Sequence, residues 1–411
     1  MTFEKEYVSY EELYEAYLDC RSRKASTANC IQFEMDLDYN LYKLWKDLNS
    51  FQYEIGRSIC FVVEFRREVF AADFRDRIVH HLIIRRILNI IEKKWFILDN
   101  YSCREGKGVL FGVNRFHEQL KQCTNNFTKD STIYKGDLRN CFNKLSKMRI
   151  YNLLSKFLKD NIFNEDELKF DLHIIKLIIF NDATINCIRK QPKYFFRLLD
   201  PDKSMFNLEK EFGMAVGNLT TQIFANFFLT LIDRFIKEVL HIKYYGRYVD
   251  DFYMIHEDKE YLKQCIKLLK EFLEMIGLSL HPKKQYMQYY KKGVNFTGYK
   301  IYPNNIQSSY KIKKKFIKTL KEFTTKCDNY LEEYGLFMSL YEADDYIKSI
   351  NAYVSMLIYF DSTWLVEEQF KNEKLQTYLL QYYKFNNNYT LRYNSFTKRR
   401  LRNFYEVSLA A

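Results

Sequence analysis

Apolar residues recur every three or four positions through residues 8–52 (Leu13 and Tyr17; Leu41, Leu44 and Leu48), a spacing that predicts helices. The run Ile59-Cys-Phe-Val-Val-Glu-Phe65 is β-branched and aromatic and reads as a strand. A long helix is expected from about Phe74 to Lys94, then a polar loop over Asp99–Gly108 and a helix to about Cys123. Residues 131–138 read as a buried strand ending at Asp137, with a helix after it. Residues 150–185 have helical spacing, 186–211 are polar and irregular, and a long apolar helix is expected over Leu219–Leu240. The period then shortens to two. Lys243–Arg247 and Tyr248–His256 read as a hairpin with Asp250 and Asp251 near its turn. A helix over 258–276, a short segment to Lys284 and a second hairpin around Lys291–Tyr302 follow. From Ile306 onward the pattern is helical and rich in lysine. Antiparallel hairpins among helices define an α+β fold with an all-helical C-terminal part.

Composition sharpens this picture in a few places. A hydrophobic share of 47% provides for a sizeable core and excludes a disordered chain. The 64 basic residues against 52 acidic ones give a net charge of +12, which suits a polyanionic partner. Lys, Asn, Ile, Phe and Tyr are abundant and Pro and Gly scarce, the bias of an AT-rich genome, so the aromatic content is no argument for base stacking. Nine cysteines occur with no C-x-x-C pair, which predicts reduced thiols, no structural zinc and a cytoplasmic protein. The acidic N-terminus is unlike a signal peptide, and no apolar run reaches the ~18 residues of a membrane span. No repeat or Gly/Ser-rich linker marks a domain boundary.

The candidate chemistry centres on Tyr248-Val249-Asp250-Asp251. Adjacent carboxylates in an apolar strand–turn–strand are costly unless cations neutralise them. Mg²⁺, with its preference for carboxylate and phosphate oxygens, would do so. A second pair, Asp344-Asp345, lies in a helical stretch and reads as a solvated face. Asp137, delivered by Ile133-Tyr134-Lys135-Gly136, supplies a third carboxylate from a separate strand. Two-metal phosphoryl transfer needs that convergence. By itself Asp137 could equally cap the helix that follows.

Taken together, the motifs resemble those of bacterial reverse transcriptases. The matching stretches run in order: Arg67-Glu68, Asp73-Phe-Arg75-Asp76-Arg77, Tyr101–Gly108, Lys135–Phe142, Gly213–Asn226, Tyr248–Asp251, Leu280-His-Pro-Lys-Lys284 and Gly293–Tyr299. The resemblance implies a right-hand polymerase: N-terminal helices and fingers over 1–130, a palm over 131–305, and a helical thumb with a C-terminal extension over 306–411. It implies two Mg²⁺ ions, with Mn²⁺ as a substitute, at a metal set of Asp137, Leu138, Asp250 and Asp251. Lys284 matches the residue that protonates the leaving pyrophosphate, and Phe142 the aromatic gate against a 2′-hydroxyl. Arg67, Arg75, Gly217, Gln222 and Tyr248 would line the nucleotide and template path. Phe296, Gly298 and Tyr299 would form the primer grip. Two departures bear on the nucleotide pocket: Thr221-Gln222 stands where Ser-Gln is usual, and Cys141 replaces an aromatic before the gate.

The stretch beyond the second hairpin has room for a thumb but not for a maturase or endonuclease domain. The form Val216-Gly217-x-x-x-Thr221-Gln222 resembles diversity-generating and defence-associated enzymes, and the reading leans to antiviral defence. The implied partners are a cognate noncoding RNA as template, dNTPs, the DNA product, and a protein partner or second copy, with no membrane. A template-free or protein-primed polymerase and a catalytically silent RNA-binding relative remain alternatives. On the last helical stretch, Ile312, Phe316, Leu320 and Phe323 form an apolar stripe. Lys311, Lys313, Lys314, Lys315, Lys318 and Lys321 surround it, as a duplex-binding thumb helix requires. Lys398-Arg399-Arg400-Leu-Arg402 is a further candidate RNA contact.

Overall fold

A computed structural model describes residues 5–22, 24–63, 67–185 and 187–399. The chain forms two compact units: residues through Gln119 together with Ser131–Met287, and Leu120–Asp130 together with the chain from Gln288 on. The expected boundaries are 130 and 305, whereas the compact units divide near 287 and the second takes in Leu120–Asp130.

In the first unit, helices α1 (Tyr10–Arg21), α2 (Ala28–Glu34) and α3 (Leu37–Asn49) precede an antiparallel pair, β1 (Ile59–Val63) and β2 (Arg67–Ala71). Ser9 starts α1 by accepting the Glu12 N–H, and Asp73 starts α4 (Phe74–Lys94) by accepting that of Arg75. α5 (Val109–Cys123) leads to β3 (Thr132–Asp137) and the one-turn helix α6 (Cys141–Lys144). The helical stretch expected over 150–185 is two helices, α7 (Lys147–Lys159) and α8 (Glu165–Phe180). It breaks at Asn164, whose side chain accepts the N–H groups of Asp166 and Glu167 and so begins the second. The irregular region after it holds only β4 (Ile188–Arg189), α9 (Lys193–Arg197) and two short 3₁₀ turns. The long apolar helix α10 spans Leu219–Arg234 and ends in a wider π turn over Phe235–Val239. Apolar on nearly every side, it is buried against α4, which carries Ile78, Leu82, Ile83 and Ile87. The predicted hairpin is β5 (Tyr244–Tyr248) and β6 (Asp251–His256), followed by α11 (Lys259–Met275). The segment after Lys284 becomes β7 (Tyr286–Tyr289), and the central sheet has the order β5-β6-β3-β7.

In the second unit the predicted hairpin is β8 (Val294–Phe296) and β9 (Tyr299–Ile301). A third strand that the pattern does not announce, β10 (Ile306–Ser308), extends it to a meander. Four helices follow: α12 (Tyr310–Tyr334), α13 (Leu340–Leu357), α14 (Thr363–Phe370) and α15 (Glu373–Leu380). They share a core that includes the predicted stripe of Ile312, Phe316, Leu320 and Phe323. The expectation of an all-helical C-terminal part needs correction, because β11 (Tyr383–Phe385) and β12 (Leu391–Tyr393) pair as a hairpin. Its tyrosines 383 and 393 both donate their hydroxyls to Asp344. Of the pair expected to be solvated, then, only Asp345 is exposed, while Asp344 anchors this hairpin.

Candidate active site

β3 and β6 run antiparallel in a register that places Asp137 directly opposite Asp251. Side chains of an opposed pair leave the same face of a sheet, so both carboxylates face one side. Gly136 lies opposite Phe252, whose ring covers it: a Cβ there would come within 2.3 Å of the ring. Only glycine lets that strand carry Asp137 past the phenylalanine. The strand end is locked from two directions. Leu138 donates its N–H to the Asp250 carbonyl (3.0 Å), and the Asp137 carbonyl accepts from the His281 N–H (2.7 Å). Leu138 buries its side chain, so only its main chain could serve a cation.

Two lysines meet the carboxylates. Lys284 places its ammonium 3.1 and 3.2 Å from the two Asp137 oxygens. Lys135 places its own 2.6 Å from Asp251 Oδ1. Metal ions are therefore not the sole means of compensating these charges, as the sequence suggested, because the protein supplies cations of its own. Burial, and then the neighbouring charge of Asp137, raise the pKa of Asp250.

The turn beneath Asp250 is unusual. Val249, a β-branched residue, sits at φ 57°, in the left-handed region. Its N–H donates to Ser102 Oγ (3.2 Å) and its carbonyl accepts from Arg247 (2.9 Å). Arg247 is 0% exposed and grips both oxygens of Asp233, equally buried, at 2.6 Å each. Asn226 Oδ1 accepts from Arg247 (3.0 Å), Asn100 (3.0 Å) and Ser102 (3.1 Å), while its amide donates to the Ser102 carbonyl (2.9 Å). Sequence reasoning missed this network. One signal was available: Asn226 and Asp233 are polar residues seven apart on a largely apolar helix, hence on one buried face that demands partners.

The other predicted residues fall as follows. Phe142 is half-buried against the core, and its carbonyl accepts from Met214 (2.9 Å). Gly217 belongs to the loop before α10, which follows β2: Phe70 donates to the Val216 carbonyl (2.8 Å) and Ala72 to Asn218 Oδ1 (2.9 Å). Gln222 is exposed on the first turn of α10, with Cys103 Sγ 3.6 Å from its Oε1. Tyr248 is half-buried, and burial followed by Cys103 raises its pKa. Arg67 is exposed on β2. Arg75 is held elsewhere: it donates to Asp47 (2.9 Å) and the Glu54 carbonyl (3.0 Å) and lies over the Tyr53 ring, so its guanidinium is already committed to the fold. Two contacts of the irregular region were not anticipated. Buried Glu68 accepts from Ser204 (2.6 Å) and the Met205 N–H (2.8 Å), and Asp202 accepts from Asn140 (2.7 Å) at the start of α6.

The expected primer-grip residues belong to the second unit. Phe296 and Tyr299 are buried there, Tyr299 donating to the Met356 carbonyl (3.1 Å), so their side chains hold the hairpin to its own helices. Gly298 occupies the turn at φ 94°. The basic stretch at 398–402 lies outside the described residues from Arg400 on.

An antiparallel sheet flanked by helices, with carboxylates opposed on its central strands, defines an α+β protein built around one acidic strand end. Residues 64–301, more than half of the chain, match the family described as reverse transcriptase (RNA-dependent DNA polymerase), and the chain belongs to that family. A search of curated proteins returns no match. Among solved structures the chain is similar to apo telomerase from Candida tropicalis truncated from its C-terminal domain. That likeness has 12% identity and a TM-score of 0.46 and covers 63% of this chain. The chain thus spans little more than half (55%) of that structure's length.

Members of such a family use divalent ions. Among the described residues no three His, Cys, Asp or Glu side chains stand close enough to hold a metal outright. The donor set nevertheless fits hard cations: it is all carboxylate oxygen, and ammonium groups already stand against Asp137 and Asp251. No helix among the described residues is long and apolar enough to cross a membrane.

Proposed function

We propose that this chain copies RNA into DNA, with Asp137, Asp250 and Asp251 holding two Mg²⁺ ions. The observation that supports it most is the direct opposition of Asp137 and Asp251 across β3 and β6, with Asp250 in the adjoining turn, inside the family-matched segment. Two bound ions would activate the primer hydroxyl and neutralise the departing pyrophosphate. The protein's own part is to aim the carboxylates through the Val249 turn and to keep positive charge beside them through Lys284 and Lys135. Lys284 is 56% exposed and within reach of solvent, as a proton donor to pyrophosphate must be. Phe142 is the proposed gate against ribonucleotides, and Arg67, Gly217, Gln222 and Tyr248 line the nucleotide and template path. Arg75 is left out of that set because the fold engages its guanidinium. The template is a cognate noncoding RNA, and the role is antiviral defence. The first rests on the Val216-Gly217-x-x-x-Thr221-Gln222 form, which resembles both diversity-generating and defence-associated enzymes, and the choice of defence rests on Thr221 standing where Ser is usual.

The test is labelled dNTP incorporation by protein purified with its bound RNA, in Mg²⁺, with and without RNase, beside Asp250→Ala. Synthesis that is sensitive to RNase and falls at least about 1,000-fold in a folded Asp250→Ala protein supports the reading, since loss of a metal-holding carboxylate removes most of the electrostatic stabilisation. Retained synthesis in that variant sinks the metal assignment. Synthesis that survives RNase points instead to template-free or protein-primed extension.

A further inference from the structure

Lys135 is given no role by the sequence, yet of the two lysines that meet the carboxylates it is the more buried. It lies two residues before Asp137 on β3, so both side chains leave the same face of the strand. Asp251 is opposite Asp137, which puts it diagonal to Lys135 and within reach of a long side chain. The contact is 2.6 Å from Nζ to Asp251 Oδ1, and Lys135 is only 7% exposed.

The two lysines therefore differ in kind. Lys284, more than half exposed, can leave Asp137 and find water. Lys135 cannot, because a buried ammonium that loses its carboxylate must find another partner or bear the cost of desolvation. An ion that binds through Asp251 has to displace that ammonium or share the carboxylate with it, and two cations on one carboxylate repel.

We propose that Lys135 is a built-in counter-cation of the carboxylate site, holding Asp251 in the metal-free protein and competing with the divalent ion that binds there. This rests on the reading of Asp137, Asp250 and Asp251 as metal ligands. Two consequences follow. Divalent ions bind the nucleotide-free protein weakly, because Lys135 already satisfies part of the site's negative charge. An incoming triphosphate strengthens ion binding, because its oxygens bind the ion and offer the displaced ammonium a new partner.

The measurement is Mn²⁺ binding to the full-length protein, read from the electron paramagnetic resonance signal of free Mn²⁺, with and without a non-hydrolysable dNTP. Lys135→Met keeps the apolar stem and removes the charge; Lys135→Arg keeps the charge. Lys135→Met is expected to tighten nucleotide-free Mn²⁺ binding about tenfold, the order of one charge a few ångströms away in a partly screened site. It should also shrink the enhancement by nucleotide, while Lys135→Arg does neither. Lys135→Gln, which keeps a donor to Asp251 without the charge, should match Lys135→Met in sign. Unchanged or weaker Mn²⁺ binding in both neutral variants overturns the inference and makes Lys135 a scaffold for Asp251. Mn²⁺ binding that Asp250→Asn leaves untouched in an otherwise wild-type protein overturns the metal-ligand reading itself, and the inference with it.

Discussion

Two hairpins among the described residues turn within two residues, and each puts a β-branched residue at positive φ, but they support it by different means. At Thr297-Gly298, in the second unit, both residues have positive φ (47° and 94°), and glycine takes the more extreme value. A Cβ at 298 would come within 2.9 Å of Ile312 Cδ1, so glycine is what lets the second position of the turn fit, while the β-branched Thr297 occupies the first. At Val249-Asp250, in the first unit, a β-branched residue holds φ 57°, where such side chains are rare. There the conformation is imposed by Ser102 and Arg247, which grip the two ends of the Val249 residue, with Asp233 and Asn226 behind them. A turn that only has to be tight can use glycine. One that must aim a carboxylate benefits from stiffness, and a buried network keeps a strained turn in a single conformation.

The largest effect should come from breaking that network. Arg247→Met leaves Asp233 buried without its counter-charge, with only the Tyr245 hydroxyl (2.5 Å) donating to it, which costs about 3–5 kcal/mol and should shift the denaturant midpoint sharply. The double variant Arg247→Met/Asp233→Leu removes both charges but strands the buried Tyr245 hydroxyl, so it should recover part of the stability, while DNA synthesis stays low because the Val249 carbonyl has lost its donor. Full recovery of synthesis in the double variant would mean that the network stabilises the unit but does not aim the turn.

Exchanging the two turn strategies has a smaller effect. Gly298→Ala forces a side chain into a strained backbone against Ile312 and should cost about 1–3 kcal/mol in chemical denaturation. Val249→Gly relieves strain but adds freedom to the unfolded chain, so stability should move by less than about 1 kcal/mol. Synthesis should nevertheless fall as the turn loosens. A Val249→Gly protein with undiminished synthesis would mean that stiffness at this turn is not what aims Asp250.

The two units also differ in their response to acid. All seven histidines lie in the first unit. His80, buried on α4 and 2.7 Å from Thr220 Oγ1, has its pKa lowered to about 3, with burial as the first cause. A depressed histidine stabilises the fold fully above its unfolded value near 6.5, and that contribution drains as pH falls toward 3. Melting curves should lose about 1 kcal/mol over the first pH unit below 6.5 from this residue alone. His80→Gln should flatten that slope; an unchanged slope would assign the acid response to other groups.

These contrasts also explain which parts of the sequence could be read directly. Asp137, Asp250 and Asp251 stood out because strand alternation and adjacent carboxylates are local signals. Helices α4, α10 and α11 were readable from apolar spacing. The polar network was not, because its members lie on three separate segments and are individually unremarkable; only their three-dimensional convergence gives Asn226 and Asp233 a role. Lys135 was hidden for the same reason: its partner Asp251 is on another strand. The β11–β12 hairpin was obscured by the helical, lysine-rich pattern before it, although Asn386-Asn-Asn388 is a turn signal. Buried Tyr299 and Phe296 show the reverse case, in which a motif resemblance suggested contact with primer and packing claims the side chains.

The smallest effect belongs to the second unit, whose surface offers charge rather than geometry. On α12 the apolar stripe faces inward, while Lys311, Lys314, Lys318 and Lys321 are exposed. Lys318 lies 3.4 Å from Glu322, and Lys313 is drawn inward to Gln307 (3.2 Å). Lys311, Lys314 and Lys321 are therefore the three to replace. The triple Gln variant should keep its stability within about 0.5 kcal/mol, since exposed positions away from caps and pairs are tolerant. If the helix tracks a duplex backbone, the slope of log affinity against log salt should fall by about 0.7–0.9 for each phosphate that the variant no longer neutralises. A weaker complex with an unchanged slope would place these lysines away from the phosphates, and an unchanged complex would leave them a solubilising face. Either result would confine any grip on nucleic acid to other surfaces, whereas a reduced slope gives the second unit a role that rests on charge rather than on an aimed turn.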